Sequence, residues 1–203
     1  KVIRTILPKL VYEQNNLQIY DLGENTAGRI VFDTRYKGKI TLKYGERMAD
    51  NKIDFSTTGI DTYQGRNELL IQTDTFYGDG RYHKNVYPHF SWHGFRYFSA
   101  EGKIENPVCQ VIHSDVPVSS SFESEHEVLN QLYSCYIRTQ LANIHGCVPS
   151  DCPHRERLGY TGDGQVVCET AMLLLDAKKV YEKWMQDIVD CQCKNSGHIQ
   201  HTA

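Results

Sequence analysis

From residue 17 to about residue 121, short apolar runs are separated by Gly, Asp and Asn, the pattern of strands joined by turns. Ile19-Tyr20-Asp21-Leu22-Gly23 leads into Gly28-Arg29-Ile30-Val31-Phe32-Asp33. Ile40-Thr41-Leu42-Lys43-Tyr44 alternates apolar and polar side chains, the two-residue period of a half-buried strand. Between them, Lys37-Gly38-Lys39 predicts a hairpin turn, with Gly38 supplying the positive φ of a tight reversal. Further strands are expected over residues 69–77, 85–91, 95–101 and 108–113. Many short strands without alternating helices predict an antiparallel β-sandwich of jelly-roll type.

Beyond residue 121 the period becomes helical. Ser124 followed by Glu127 is a capping-box pattern. Val128, Leu129, Leu132, Tyr133, Tyr136, Leu141 and Ile144 then recur at three- and four-residue steps until Gly146. A second helix is expected from near Gly164 through Val166, Val167, Ala171, Met172 and Leu175. A third starts near Asp176 and uses Val180, Trp184, Ile188 and Val189. The pattern divides the chain into a β domain, 1–121, and a helical part, 122–203. Apolar stripes on only three helices want more partners than those helices supply. With no initiator Met at Lys1, the chain reads as an excerpt whose helical half is cut short.

Composition narrows the function classes. Among 203 residues, 22 Lys+Arg face 25 Asp+Glu, a net charge of −3, so the basic field of a nucleic-acid binder is missing. No run approaches the roughly 18 apolar residues of a membrane span, and the N-terminal apolar stretch ends too early, at Pro8, for a signal-peptide core. Seven cysteines cannot all pair within one chain, and free thiols point weakly to a reducing, cytoplasmic setting. Cys191, Cys193, His198 and His201 could supply zinc donors, but a single residue between the two cysteines is awkward for a tetrahedral site, so no metal is expected.

The least routine stretch lies between the first two helices, from Val148 to Gln165. It is longer than the usual helix–helix connection, and long ordered loops tend to carry function. Asp151, Glu156 and Asp163 sit in it among His154, Arg155, Arg157 and Tyr160. Such a set suits a hydroxyl-rich ligand: carboxylates accept from vicinal hydroxyls, arginine donates, and an aromatic face covers the ring. Close carboxylates also favour the protonated form of one of their number, the state a general acid needs. On residue types alone, a solvated loop closed by Arg–carboxylate pairs, with Asp163 capping the next helix, reads equally well. His154-Arg155-Glu156 has the look of a kinase catalytic loop, but the accompanying glycine-rich loop and strand lysine are missing.

The run Asp151-Cys152-Pro153-His154-Arg155-Glu156-Arg157-Leu158-Gly159-Tyr160-Thr161-Gly162-Asp163-Gly164-Gln165 resembles the signature of the bacterial α-L-rhamnosidases, glycoside hydrolase family 78. Asp21-Leu22-Gly23-Glu24-Asn25-Thr26-Ala27-Gly28 is similar to the opening motif of that family's β-sandwich domain. Tyr44-Gly45-Glu46, Asp61-Thr62-Tyr63 and His93-Gly94-Phe95-Arg96-Tyr97 follow in the family's order. The resemblance runs from about residue 10 to Ala203. It implies a β-sandwich followed by the first helices of a truncated (α/α)6 barrel whose mouth holds the sugar. It also implies that Glu156 is the general acid, that Asp151 and Asp163 hold rhamnose hydroxyls, and that Arg155 and Tyr160 help form the pocket. The implied substrate is a rhamnose-containing glycoside or oligosaccharide, cleaved with inversion and without a cofactor. The implied base is a glutamate beyond Ala203, so the chain alone is expected to turn over little. His154 and Tyr160 stand where Gln and Trp are common in the family, which implies a smaller apolar platform. The competing reading is a carbohydrate-binding protein without catalysis, using Trp92, His93 and Tyr97 as exposed contacts, although Trp92 and Phe95 more readily pack a core.

Overall fold

The strand-rich segment builds ten strands among the described residues: β1 (Val2–Ile6), β2 (Lys9–Gln14), β3 (Leu17–Thr34), β4 (Lys37–Gly45), β5 (Arg47–Ala49), β6 (Lys52–Asp54), β7 (Thr73–Asp79), β8 (His83–Val86), β9 (His93–Glu101) and β10 (Glu105–Ile112). The structure, a computed structural model, describes residues 1–59 and 69–203. Two compact units result, Val2–Ile112 and, beyond it, His113–Ala203.

In the first unit β3 is the spine. Its first half pairs with β2 on one side and β9 on the other, and its second half with β10 and β8, all antiparallel. The ladder order β1-β10-β3-β9-β4-β7, with β2 and β8 also on β3, forms one eight-stranded antiparallel sheet of the expected class. The register of β3 against β9 shifts between Asp21 and Thr26. Gly23 lies there at φ +79, and its N–H donates to Asp21 Oδ1 at 2.7 Å. Such an irregularity bends a strand and strengthens its twist. Successive residues Gln18, Ile19 and Tyr20 are all buried, as are Ile40, Thr41 and Leu42. Because neighbours along a strand point to opposite faces, β3 and β4 are covered on both sides rather than half-buried. Phe32, Phe95 and Phe98 fill the core at 1% exposure or less.

Several details depart from the sequence reading. Residues 37–39 are the first rungs of β4, paired with β7, and β9 separates β3 from β4, so no hairpin turn forms there. Arg35 and Tyr36, outside any strand, link β3 to β4. Strand β8 stops at Val86, ahead of Pro88, whose missing N–H cannot serve a ladder. Strands β1 and β2 were not expected; Val2, Ile3, Leu10 and Val11 are exposed, so burial leaves no alternation to read. The Asp61-Thr62-Tyr63 motif lies outside the described residues.

The other motifs of this unit hold it together. Arg96 donates two bonds to the Asp21 carboxylate, at 2.9 and 3.0 Å, tying β9 to β3. The Tyr44 and His93 rings stack at 4.2 Å, and both bond Asp74 Oδ2, at 2.7 and 3.0 Å, while Ser91 donates to Oδ1 at 3.1 Å. Burial works against the Asp74 charge, but the bonds from His93, Tyr44 and Ser91 outweigh it and hold the carboxyl below the usual range. His93, at 4% exposure, is therefore a core residue and not an exposed sugar contact.

The second unit contains α1 (Glu127–Ala142), a short hairpin of β11 (Ile144–His145) and β12 (Val148–Pro149), α2 (Thr161–Leu174) and α3 (Lys178–Cys191). The expected capping box is absent. His126 is the N-cap, Ser124 Oγ accepts from the His126 N–H, and the Asn130 carboxamide bonds both backbone groups of Ser124. Helix α1 ends before Ile144 because Gly146 and Cys147, at φ +61 and +59, form the two-residue turn of the hairpin. Ile144, Ala171, Leu175, Val180 and Trp184 make the core. Val128, Leu132, Val166, Leu173 and Val189 are exposed, as expected of helices with unfilled apolar faces. No described helix is long and apolar enough to cross a membrane. All seven cysteines are free.

Candidate active site

The loop after β12 is shaped by few, specific contacts. Asp151 N–H donates to Leu158 O at 3.1 Å and Leu158 N–H returns to Asp151 Oδ1 at 3.2 Å, closing residues 151–158 into a compact lobe. Arg157 carries the positive φ of that lobe, at +57. The nearby glycines serve close approach instead. A Cβ on Gly159 would lie 2.4 Å from Ala203 O, and one on Gly164 would lie 2.0 Å from the Trp184 ring. The end of the chain runs alongside: Thr161 N–H donates to His201 O, Ala203 N–H to Gly159 O, and the His201 ring stacks on Tyr160.

Within the lobe, donor atoms of Asp151, Cys152 and Glu156 all lie within 4.8 Å of one another. The buried Cys152 Sγ sits between the carboxylates, 3.2 Å from Asp151 Oδ2 and 3.6 Å from Glu156 Oε2. Burial, then the bond to Asp151, pushes this thiol up, so it stays protonated and can donate. The Glu156 side chain keeps 31% of its surface exposed, and Arg155 Nε is 3.7 Å from its Oε2. The contact with Cys152, then the charge of Glu156, raises the Arg155 guanidinium further.

Asp163 enters from the first turn of α2, where a carboxylate also complements the helix dipole; it is not the N-cap, which is Tyr160. Asp151 and Asp163 together line a cleft of about 310 Å³ with Gln140, Asn143, Val166 and Val167. Asp151 is thus the shared member, facing the cleft with Asp163 and touching the Cys152–Glu156 pair. Arg155 and Tyr160 stand beside this arrangement rather than in the cleft lining. Partial burial, then the charges of Glu156, Asp151 and Asp163, raises the Tyr160 phenol, which keeps it a neutral donor. Sequence reasoning missed Cys152, Gln140 and Asn143. For Gln140 a signal existed, since it interrupts the apolar face that α1 presents through Ile137 and Leu141.

The second unit's carboxylates and cleft can accept bonds from hydroxyls, with the protonated Cys152 thiol and Tyr160 phenol beside them. Residues 13–117 match the bacterial alpha-L-rhamnosidase concanavalin-like domain, and residues 117–203 match the bacterial alpha-L-rhamnosidase 6 hairpin glycosidase domain. An alpha-L-rhamnosidase of Formosa agariphila is 32% identical over 191 residues, covering 89% of this chain and 19% of that protein. One from Streptomyces avermitilis is 35% identical over 180 residues, covering 86% of this chain and 17% of that protein. The chain therefore spans about a fifth of the length of these relatives. Among solved structures, an alpha-L-rhamnosidase from Dictyoglumus thermophilum superposes with a TM-score of 0.85 at 28% identity, covering 100% of this chain and 23% of the other. The Streptomyces avermitilis alpha-L-rhamnosidase complexed with L-rhamnose gives 0.84 at 26% identity, covering 100% of this chain and 20% of the other.

Proposed function

The chain belongs to the bacterial α-L-rhamnosidases, and from that premise we propose that it acts in a glycoside hydrolase removing terminal α-L-rhamnose, with Glu156 as the proton donor. The observation that carries this reading is the joining of two acidic groupings through Asp151: the Asp151–Cys152–Glu156 cluster and the cleft shared with Asp163. Glycoside cleavage passes through an oxocarbenium-like transition state, in which the departing oxygen needs a proton as its bond to the ring breaks. Glu156 gives that proton. Arg155, close by, then stabilises the carboxylate left behind. Asp151 and Asp163 accept bonds from ring hydroxyls and so fix the sugar, and the neutral Tyr160 phenol donates from the side. Inversion requires a second carboxylate about 6.5–9.5 Å away to activate water on the opposite face; by family resemblance this is a glutamate downstream of Ala203.

The test is hydrolysis of an aryl α-L-rhamnoside by the enzyme carrying these residues. Glu156→Gln lowers kcat about 10²–10⁴-fold, the usual worth of a general acid, with L-rhamnose affinity within about twofold. Turnover near the unmutated level would remove Glu156 from the role.

A further inference from the structure

Two amide side chains in the cleft are unused by the chemistry above. Gln140, in the last turn of α1, is only 5% exposed, yet its carboxamide makes no hydrogen bond among the described residues. Three residues on, Asn143 Oδ1 is also buried without a hydrogen-bond partner. The backbone there is firmly held: Ser150 sends both its N–H and its hydroxyl to Asn143 O, at 2.8 and 3.0 Å. The unpaired groups are therefore side chains on a fixed frame. A buried polar group left unpaired costs about 1–3 kcal/mol, so leaving Asn143 Oδ1 unpaired in the cleft wall weakens the fold by itself. Both line the same space as Asp151 and Asp163.

The chemistry of that lining is complementary in one specific sense. Carboxylates only accept hydrogen bonds, whereas a sugar hydroxyl both donates and accepts. A ring hydroxyl that gives its proton to Asp151 or Asp163 still has lone pairs for a carboxamide N–H, and a neighbouring hydroxyl can donate to the unpaired Asn143 Oδ1. The cleft, about 310 Å³, lies at the small end of ligand pockets and suits one sugar ring rather than an oligosaccharide. We infer that Gln140 and Asn143 are sugar-contacting residues that complete the hydrogen bonds of the ring held by Asp151 and Asp163. They thereby select a terminal deoxyhexose by the configuration of its hydroxyls. This inference rests on the assignment of the cleft to rhamnose.

The experiment titrates the enzyme carrying these residues with L-rhamnose and, for comparison, L-fucose, reading side-chain amide shifts by NMR and affinity by calorimetry. The near-isosteric variants Gln140→Met and Asn143→Leu are compared with the unmutated enzyme, and thermal midpoints are recorded for all three. Rhamnose is expected to shift the Gln140 and Asn143 side-chain amides. Each variant is expected to lose at least about tenfold in affinity and to narrow the rhamnose-over-fucose preference, while its midpoint stays level or rises because an unpaired buried amide is gone. Variants that bind rhamnose as the unmutated enzyme does would overturn this inference and leave the rhamnose assignment standing. Variants that lose affinity and thermal stability together would make the amides structural and also overturn it. An unmutated enzyme that binds no L-rhamnose would overturn both readings.

Discussion

Gly164→Ala sets two local effects against each other, and the geometry decides the sign. In an exposed helix interior, Ala is more favourable than Gly by about 1 kcal/mol. In α2, however, the added Cβ would lie 2.0, 2.5 and 2.8 Å from Cη2, Cζ3 and Cζ2 of Trp184. Carbon atoms pack at about 3.5–4.0 Å, so the overlap is roughly 1.5 Å or more. The ring has little room to withdraw. Trp184 is 3% exposed, packs edge-on to Tyr181, and sends its indole N–H to Ala203 O at 3.3 Å. Overpacking a core typically costs about 1–3 kcal/mol, and this overlap belongs at the upper end. After the propensity gain, the expected net destabilisation is about 1–2 kcal/mol. Urea unfolding followed by helical circular dichroism reads it as a lower midpoint at unchanged slope. Adding Trp184→Leu should recover part of the loss, so that the double variant is more stable than the two single effects summed. A midpoint that rises in Gly164→Ala would mean that the helix tolerates the methyl group, and the packing argument for α2 against α3 would fall.

Two further outcomes follow from the first unit and the cysteines. The Asp74 carboxyl is held below its unfolded value, so its contribution is present above about pH 4 and is lost as pH falls through the folded value. Asp74→Asn should therefore cost about 3 kcal/mol at neutral pH, with the gap to the unmutated chain narrowing below about pH 4; a gap independent of pH would refute the charge-based account. The Cys109 thiol, fully buried, is pushed up to about 12 by that burial, whereas Cys135 and Cys191 are exposed. Iodoacetamide at pH 8 should alkylate Cys135 and Cys191 in the native chain and Cys109 only after unfolding, read by peptide mass mapping; native labelling of Cys109 would contradict its burial.

Much of the site is legible in the sequence alone, for a reason rooted in residue type. Asp151, Glu156 and Asp163 crowd into a thirteen-residue span beside arginines and a tyrosine, and like charges at such density need either solvent or a ligand. Which of them meet was not legible. The lobe closed by Asp151 and Leu158 brings Glu156 and Cys152 to Asp151, while α2 carries Asp163 into the separate cleft lining. Gln140 and Asn143 joined that lining only because α1 ends beside β12 and α2. A sequence interval of ten or more residues carries no information about such neighbours.

Local pattern determined what local forces control. Three- and four-residue apolar spacing marked α1, α2 and α3, and apolar runs between turn residues marked β3, β4, β9 and β10, because each such element must bury a face wherever it finally packs. Tertiary structure decided what depends on partners: that β9 separates β3 from β4, that the 37–39 segment is a strand and not a turn, and that His93 is locked to Asp74 in the core. It also decided that exposed β1 and β2 are strands at all, since their order comes from ladder bonds to β10 and β3 rather than from burial of their own side chains.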